Sequence, residues 1–237
     1  MRRMLGTLLL AFVLLFSATA QEKFGNWYIG IKSGTSFGIS TFSSLNGDKF
    51  RMGWSMGLLG GYRFTDVCSV EFSAIIGNLE MGSRDCCASY YLGGDGLLYF
   101  APVAGMDTYS YSSLYSKVQM QQYSAQFHLD LLRLFTPAAG GRWSLYLSPA
   151  LSALVSRAEV HNKENDERIV RRASRCNFGV GGGLSVGYRL TPQWHTAFFS
   201  EATYLPGSRI DGIPRRLHRN NCIWTNGLKV IWFLPRI

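Results

Sequence analysis

The sequence predicts an all-β chain, an eight-stranded antiparallel up-and-down transmembrane β-barrel. Three observations lead there. Eight segments alternate apolar residues with small or polar ones at a period of two, and successive side chains of a strand point to opposite faces. The connections alternate in length: long at 38–49, 78–117, 157–174 and 206–220, short at 65–66, 136–141 and 191–193. Finally, aromatic residues bracket the apolar faces, in the pairs Trp54 and Tyr62, Phe178 and Tyr188, Trp194 and Tyr204, and Trp224 and Trp232. Membrane-spanning barrels carry such aromatics at both lipid–water boundaries.

The clearest segment is Arg175–Leu190. Cys176, Phe178, Val180, Leu184, Val186, Tyr188 and Leu190 share one face; Asn177, Gly179, Gly181, Gly183, Ser185 and Gly187 share the other, with Arg175 and Arg189 at its ends. Glycine weakens a strand unless something must approach it closely, so a face of Gly and Ser suits a cramped interior better than a wetted surface.

The other segments follow the same rule. The first strand is Trp27–Phe37, with Trp27, Ile29 and Ile31 opposite Tyr28, Gly30, Lys32, Gly34 and Ser36. The second is Arg51–Phe64, where Trp54, Met56 and Leu58 oppose Arg51, Gly53, Ser55, Gly57, Gly61 and Arg63. Thr65-Asp66 makes a tight turn, and Val67–Gly77 returns with Phe72, Ala74 and Ile76 against Ser69, Glu71 and Ser73. Residues 78–117 form the longest connection, part of which is expected to prolong the flanking strands as a hairpin. The fourth strand is Gln122–Leu132 and the fifth Trp143–Val155, where Pro149 lacks a ladder donor and predicts a bulge. The seventh is Trp194–Tyr204 and the eighth Cys222–Leu234.

Residues 1–20 read as a cleaved secretory signal: Arg2 and Arg3, an apolar run from Leu5 to Phe16, then Ala18-Thr19-Ala20. That run is shorter than the ~20 residues of a spanning helix. The barrel domain is thus expected at 21–237. The formal charge of +9 becomes 22 minus 15, or +7, without the leader. Export permits disulfides, and Cys86 and Cys87 are candidates to pair with Cys176 and Cys222. Cys68 makes the count odd. No cysteine spacing suggests zinc, and no cofactor is expected.

Alternation alone does not say whether the apolar face points inward, as in a soluble lipocalin-like binder of an apolar ligand, or outward to lipid. Loop asymmetry, aromatic bracketing and the Gly/Ser faces favour lipid outside and an outer-membrane location. Here a resemblance enters. Gly25-Asn26-Trp27-Tyr28-Ile29-Gly30-Ile31-Lys32, Gly61-Tyr62-Arg63-Phe64-Thr65-Asp66 and Gly227-Leu228-Lys229-Val230 resemble the PorT-like outer-membrane β-barrel family of Bacteroidota. The likeness implies an eight-stranded barrel, and PorT itself belongs to a secretion system. Ser124–Leu129 lacks the family's Glu-Ile-Pro, and Ile237 follows Pro235 where a terminal aromatic is usual, so PorT's own role is not carried over.

An eight-stranded barrel is just wide enough to be filled by its side chains. Lys32, Arg51, Arg63, Glu71, His128, Asp130, Arg189, His195, Glu201 and Lys229 are the lumen candidates, expected to pair because buried charges must. An enzyme acting on lipid A is the alternative. Ser124, His128 and Asp130 share a face, but Ser124 and His128 lie roughly 13 Å apart along a strand. They make no triad by themselves, and no catalytic residue is assigned. Arg168, Arg171, Arg172, Arg215, Arg216 and Arg219 fall in the long loops. Arginine matches phosphate by bidentate pairing, so lipopolysaccharide is their expected contact. Outer-membrane lipid and an envelope protein are the expected partners of a monomer presenting its loops. A nucleic-acid role is excluded by the export signal.

Overall fold

The computed structural model describes residues 27–45, 50–83, 89–136, 141–207, 209–214 and 221–235. The chain runs through β1 (Trp27–Ile39), β2 (Gly53–Arg63) and β3 (Cys68–Gly82). A small three-stranded sheet follows, made of β4 (Tyr91–Gly93), β5 (Leu98–Tyr99) and β6 (Thr108–Ser110). Then come β7 (Leu114–Asp130), α1 (Leu131–Phe135), β8 (Trp143–Asn162), β9 (Arg168–Arg171), β10 (Arg175–Arg189), β11 (Trp194–Leu205) and β12 (Asn221–Phe233). Eight of these strands form one antiparallel sheet in the order β10-β11-β12-β1-β2-β3-β7-β8, and β8 pairs with β10 to close it. Closure pairs each of these eight on both sides, and β9 adds a short arm to the end of β8. The start of β1 and the end of β12 lie at the end of the barrel that carries the short turns, since Tyr28 pairs with Phe233.

The apolar face points outward. Leu58, Phe72, Leu151 and Phe178 are 67%, 63%, 66% and 75% exposed, whereas Lys32, Glu71 and Lys229 are 2%, 0% and 2% exposed. A water-soluble barrel would reverse this, so the lipocalin-like alternative fails on burial. Aromatic pairs collect at the short-turn end of the outer wall: Trp27 with Tyr62 and Trp143 with Tyr188, each 4.9 Å between ring centroids, and Trp194 stacked on Trp232.

Three strands run further than the apolar stripe suggests. β3 extends to Gly82, β7 begins at Leu114 and β8 runs to Asn162. The reason lies in a change of phase. On β7 the inward residues His128, Gln126, Ser124 and Gln122 give way to Met120, Val118 and Leu114, while the outward residues change from Phe127 and Tyr123 to Gln119 and Lys117. On β8 the inward Ser144, Ser148 and Ser152 give way to Leu154, Ala158 and Val160, and Arg157 and Glu159 turn outward. On β3 the inward Glu71 and Ser73 give way to Ile75, Leu79 and Met81. The switch falls at one level, because Ile75 pairs with Gln122 and Gln122 with Leu154. Below it the strands are apolar outside, as lipid requires; above it they are apolar inside, as water requires. A stripe followed on one face therefore ends at the lipid boundary although the strand does not.

Two local expectations are corrected. Leu131 and Leu132 do not extend β7; they open α1, because the Asp130 carboxylate accepts hydrogen bonds from the Leu132 and Arg133 backbone N–H groups, the usual N-cap arrangement. Pro149 makes no bulge. The β7–β8 register is the same on both sides of it, with Gln126 opposite Ala150 and Leu129 opposite Leu147. The ladder skips Phe127 and His128 there, so the missing proline donor needs no extra residue.

Inner-face glycines are required where a neighbouring side chain lies across them. A Cβ on Gly183 would come 2.6 Å from Glu201 Cγ, and one on Gly187 would come 2.4 Å from Ser144 Oγ and 2.7 Å from His195 Nε2. Both are closer than atoms can pack, so the glycines make room for the polar groups of the lumen.

Candidate functional site

The lumen is filled in three layers. At the short-turn end Tyr28, Leu59 and Ile231 form a small apolar cluster with Phe233 against it. The middle layer is polar. Lys32 Nζ donates to both carboxylate oxygens of Glu201 at 2.9 Å, and Gln126 Nε2 donates to the same carboxylate at 3.0 Å. Lys229 Nζ donates to Glu71 Oε2 at 3.1 Å, and His128 Nε2 lies 3.2 Å from that oxygen. The Lys32 ammonium also sits 4.5 Å from the centre of the Phe199 ring, a cation–π contact. These groups come from β1, β3, β7, β11 and β12, so the network ties together strands far apart in sequence. Two lysines balance two glutamates, which is what permits charge in a space of low dielectric.

Of the residues singled out in sequence, the structure brings Lys32, Glu71, His128, Glu201 and Lys229 into this network. His195 sits beside it, with Nε2 3.2 Å from Ser144 Oγ. Asp130 is fully buried but serves as the cap of α1, with Arg133 3.6 Å away. Arg63 lies at the short-turn end with its guanidinium 4.9 Å from the Phe233 ring centre, and Arg189 ends β10, where its backbone N–H donates to Arg142 O. Arg51 is at the opposite rim, 3.6 Å from Glu80 and stacked over Tyr115. The strand begins at Gly53, so strand alternation does not direct Arg51 into the lumen.

Sequence reasoning missed Ser148. Its Oγ lies 2.5 Å from His128 Nδ1, which puts Ser148, His128 and Glu71 in a line. Ser148 is on β8 and Glu71 on β3, the two neighbours of β7 in the barrel, so only cross-strand register could have found it. The order of groups is that of a hydrolytic triad. Ser148, His128 and Glu71 are 3%, 3% and 0% exposed, and Glu71 is already shared with Lys229. The adjoining cavity, lined by Tyr28, Arg63, Glu71, His128, Tyr146 and His195 among others, measures about 20 Å³. That is little more than the ~10–15 Å³ a single water needs.

The third layer is an apolar cap at the long-loop end. Leu79, Met81, Leu114, Val118, Met120, Leu154 and Val160 line the widened wall, and Phe42, Leu92, Tyr111, Ile210 and Ile213 from the loops pack into it. The loops are stitched by polar contacts. Asp211 accepts from Phe42 N–H at 3.1 Å, Ser116 Oγ donates to Asp211 O at 2.7 Å, and Tyr111 Oη donates to Pro214 O at 2.7 Å. Among the loop arginines, Arg168 and Arg171 face Glu159 at 3.9 and 3.0 Å. Arg172 is an internal clamp: Nε donates to Gly212 O at 3.0 Å and Nη2 to Gly96 O at 2.6 Å. Arg215, Arg216 and Arg219 lie outside the described residues. So do Cys86, Cys87 and the leader at 1–20; Cys68, Cys176 and Cys222 are free thiols. Among the described residues no group of three or more His, Cys, Asp or Glu is placed to hold a metal ion.

Comparison with solved structures finds other barrels. Neisserial surface protein A is 15% identical with a TM-score of 0.46, covering 90% of this chain and 100% of its own. The attachment invasion locus protein of Yersinia pestis, solved with the heparin analogue sucrose octasulfate, is 12% identical with a TM-score of 0.45, covering 88% and 99%. A major outer membrane protein from Thermus thermophilus is 10% identical with a TM-score of 0.47, again covering 88% and 99%. No curated protein matches the sequence. The family described as outer membrane protein beta-barrel domain matches residues 7–205, and this chain, a closed eight-stranded barrel of the outer membrane, belongs to that family.

Proposed function

We propose that the protein is a sealed, non-catalytic barrel of the outer membrane that serves a structural or interaction role by presenting an ordered external cap. The carrying observation is the filling of the lumen: an apolar cluster, a balanced ion-pair layer and an apolar cap follow one another along the axis. A pore would need a continuous wet path, and the charges that would line it are spent on each other. The cap loops are braced to one another, which suits a surface offered to lipopolysaccharide and to an envelope protein partner. The phrases at 25–32, 61–66 and 227–230 support a PorT-like origin within the family, and with it an accessory place in a secretion or envelope assembly.

The test is conductance. The full chain, folded into a planar bilayer, is expected to leave the current at the level of the bare membrane; stepwise channel openings would overturn the sealed-barrel reading. The line of Ser148, His128 and Glu71 favours a second reading, a hydrolase. A fluorophosphonate that labels Ser148 in the folded protein would establish it, and absence of labelling is expected.

A further inference from the structure

The external cap holds one feature that neither the lumen nor the scaffold role uses. A cleft of about 100 Å³ opens between the end of the β8–β9 hairpin, the start of β10 and the loop after β11. Its lining includes Arg172, Arg175, Arg209, Ser156 and Gly212, and no described residue lining it is acidic. The volume is several times the ~10–15 Å³ that one water requires. That is room enough for a small tetrahedral anion.

Among the described residues, the three arginines converge on the cleft without a counter-ion. Arg172 is half-buried and locked by its bonds to Gly96 O and Gly212 O. Among the described residues, neither Arg175 nor Arg209 forms an ion pair, and both are exposed. Burial, and then the charges of Arg175 and Arg209, lower the Arg172 pKa from its ordinary value. Asp211, two residues after Arg209, is engaged elsewhere: its carboxylate accepts from the Phe42 and Ile213 backbone N–H groups inside the cap. Arg168 and Arg171, by contrast, already have Glu159. Like charges converging on a recess repel one another, and an anion seated among them removes that repulsion. Guanidinium groups bind phosphate oxygens in pairs, with charge-assisted hydrogen bonds.

We propose that the cleft formed by Arg172, Arg175 and Arg209 binds a phosphate monoester group. Two sources share that chemistry: the phosphorylated headgroup of a lipopolysaccharide, or a soluble phosphate. The proposal rests on the external placement of the cap argued above, but it does not depend on whether the barrel conducts.

The experiment uses the full chain folded in a zwitterionic detergent at low salt. Titration calorimetry measures binding of inorganic phosphate, glucosamine 6-phosphate and a short-chain lipopolysaccharide. At least one is expected to bind, and the double variant Arg175→Ala/Arg209→Ala is expected to weaken it by ~10-fold or more, since each bond to a charged group contributes about that factor. Arg142→Ala, at the opposite, short-turn end of the barrel beside Tyr188, is expected to leave binding unchanged. Heat-dependent gel mobility checks that each variant is folded, and Arg175→Lys/Arg209→Lys keeps the charge should the alanine pair disturb the cap. Lipopolysaccharide binding at least tenfold tighter than phosphate would identify the headgroup; equal affinities would identify soluble phosphate. Absence of binding by all three, or binding that the double variant does not weaken, would overturn the proposal. A failed conductance test leaves this result untouched, so the two readings fail separately.

Discussion

The two halves of the barrel solve opposite problems with the same strands. In the spanning half, Phe127 and Tyr123 of β7 face out while His128, Gln126 and Ser124 face in. In the external half of that strand, Gln119 and Lys117 face out while Met120, Val118 and Leu114 face in. The first half is held by charge and hydrogen bonds in an enclosed space, the second by burial of apolar side chains under loops. The solvent decides which. Where lipid bathes the wall, the hydrophobic effect offers little for sequestering apolar groups inside, and specificity falls to polar pairs. Where water bathes it, burial of Leu79, Leu114 and Leu154 is worth roughly 2 kcal/mol each.

The sharpest way to break this comparison is to unpair the polar layer. Glu71→Ala leaves the Lys229 ammonium buried without its carboxylate, and a loss of ~3–5 kcal/mol is expected. Urea unfolding from lipid vesicles, followed by tryptophan fluorescence, measures it. Removing both charges together, as Glu71→Leu with Lys229→Met, is expected to restore most of the loss, because the desolvation cost of both ions disappears. A single variant as stable as the parent would mean that the layer is not held by its charges.

Leu79→Ala tests the other half. It empties a fully buried position of the cap and is expected to cost ~2–5 kcal/mol. The loss should appear as faster proteolysis of the 89–113 segment, while the unboiled barrel keeps its gel mobility. If barrel and cap fail together, the two halves are one cooperative unit rather than two.

A smaller effect is expected on the glycine wall of the spanning half, where Gly183 lies opposite Ser148 and Glu201. Gly183→Val places a Cβ 2.6 Å from both Glu201 Cγ and the Ser200 carbonyl oxygen. The backbone oxygen has nowhere to go, and a loss of ~1–3 kcal/mol is expected in the same urea experiment. Equal stability would show that the strand can shift and that glycine there is incidental.

The mildest change concerns pH at the cap. The Tyr115 hydroxyl donates to Asp166, and with the Lys117 ammonium 3.2 Å away it holds that carboxyl below its ordinary value. The contribution of this contact is therefore complete above the usual aspartate range of ~4 and is lost only as the pH falls through the lower folded value. Tyrosine side-chain resonances of the 163–167 turn's neighbour Tyr115, followed between pH 6 and 2 on the order of one-unit steps, should move late in that range. A shift centred at an ordinary aspartate pKa would remove the contact from the account.

Much of the barrel was legible because a period of two is a local property. The stripes of Trp27–Ile31, Trp54–Leu58 and Phe178–Leu184 locate spanning strands with no knowledge of neighbours. The upper strand ends were not legible on the same criterion, since their apolar stripe continues on the opposite face. Asp130 could have been read as a cap for Leu131–Phe135, but its place in the polar stripe of β7 hid that role. Lys32, Glu71, His128, Glu201 and Lys229 could be listed as buried charges from parity alone. Which lysine meets which glutamate could not, nor could Ser148 beside His128, because those pairings depend on the register of strands up to 169 residues apart.

The sequence by itself determined that eight strands span, which of their faces meets lipid, and that charges would be enclosed. The spanning strands follow from alternation, which is written residue by residue; the face that meets lipid follows from loop asymmetry, aromatic bracketing and the Gly/Ser composition of the opposite face. Tertiary structure alone decided that the lumen is layered, that Arg172 braces loops while Arg175 and Arg209 stand open beside it, and that Leu92, Tyr111 and Ile213 close one end. These depend on barrel closure, which brings distant strands and loops within contact range and which no single segment encodes.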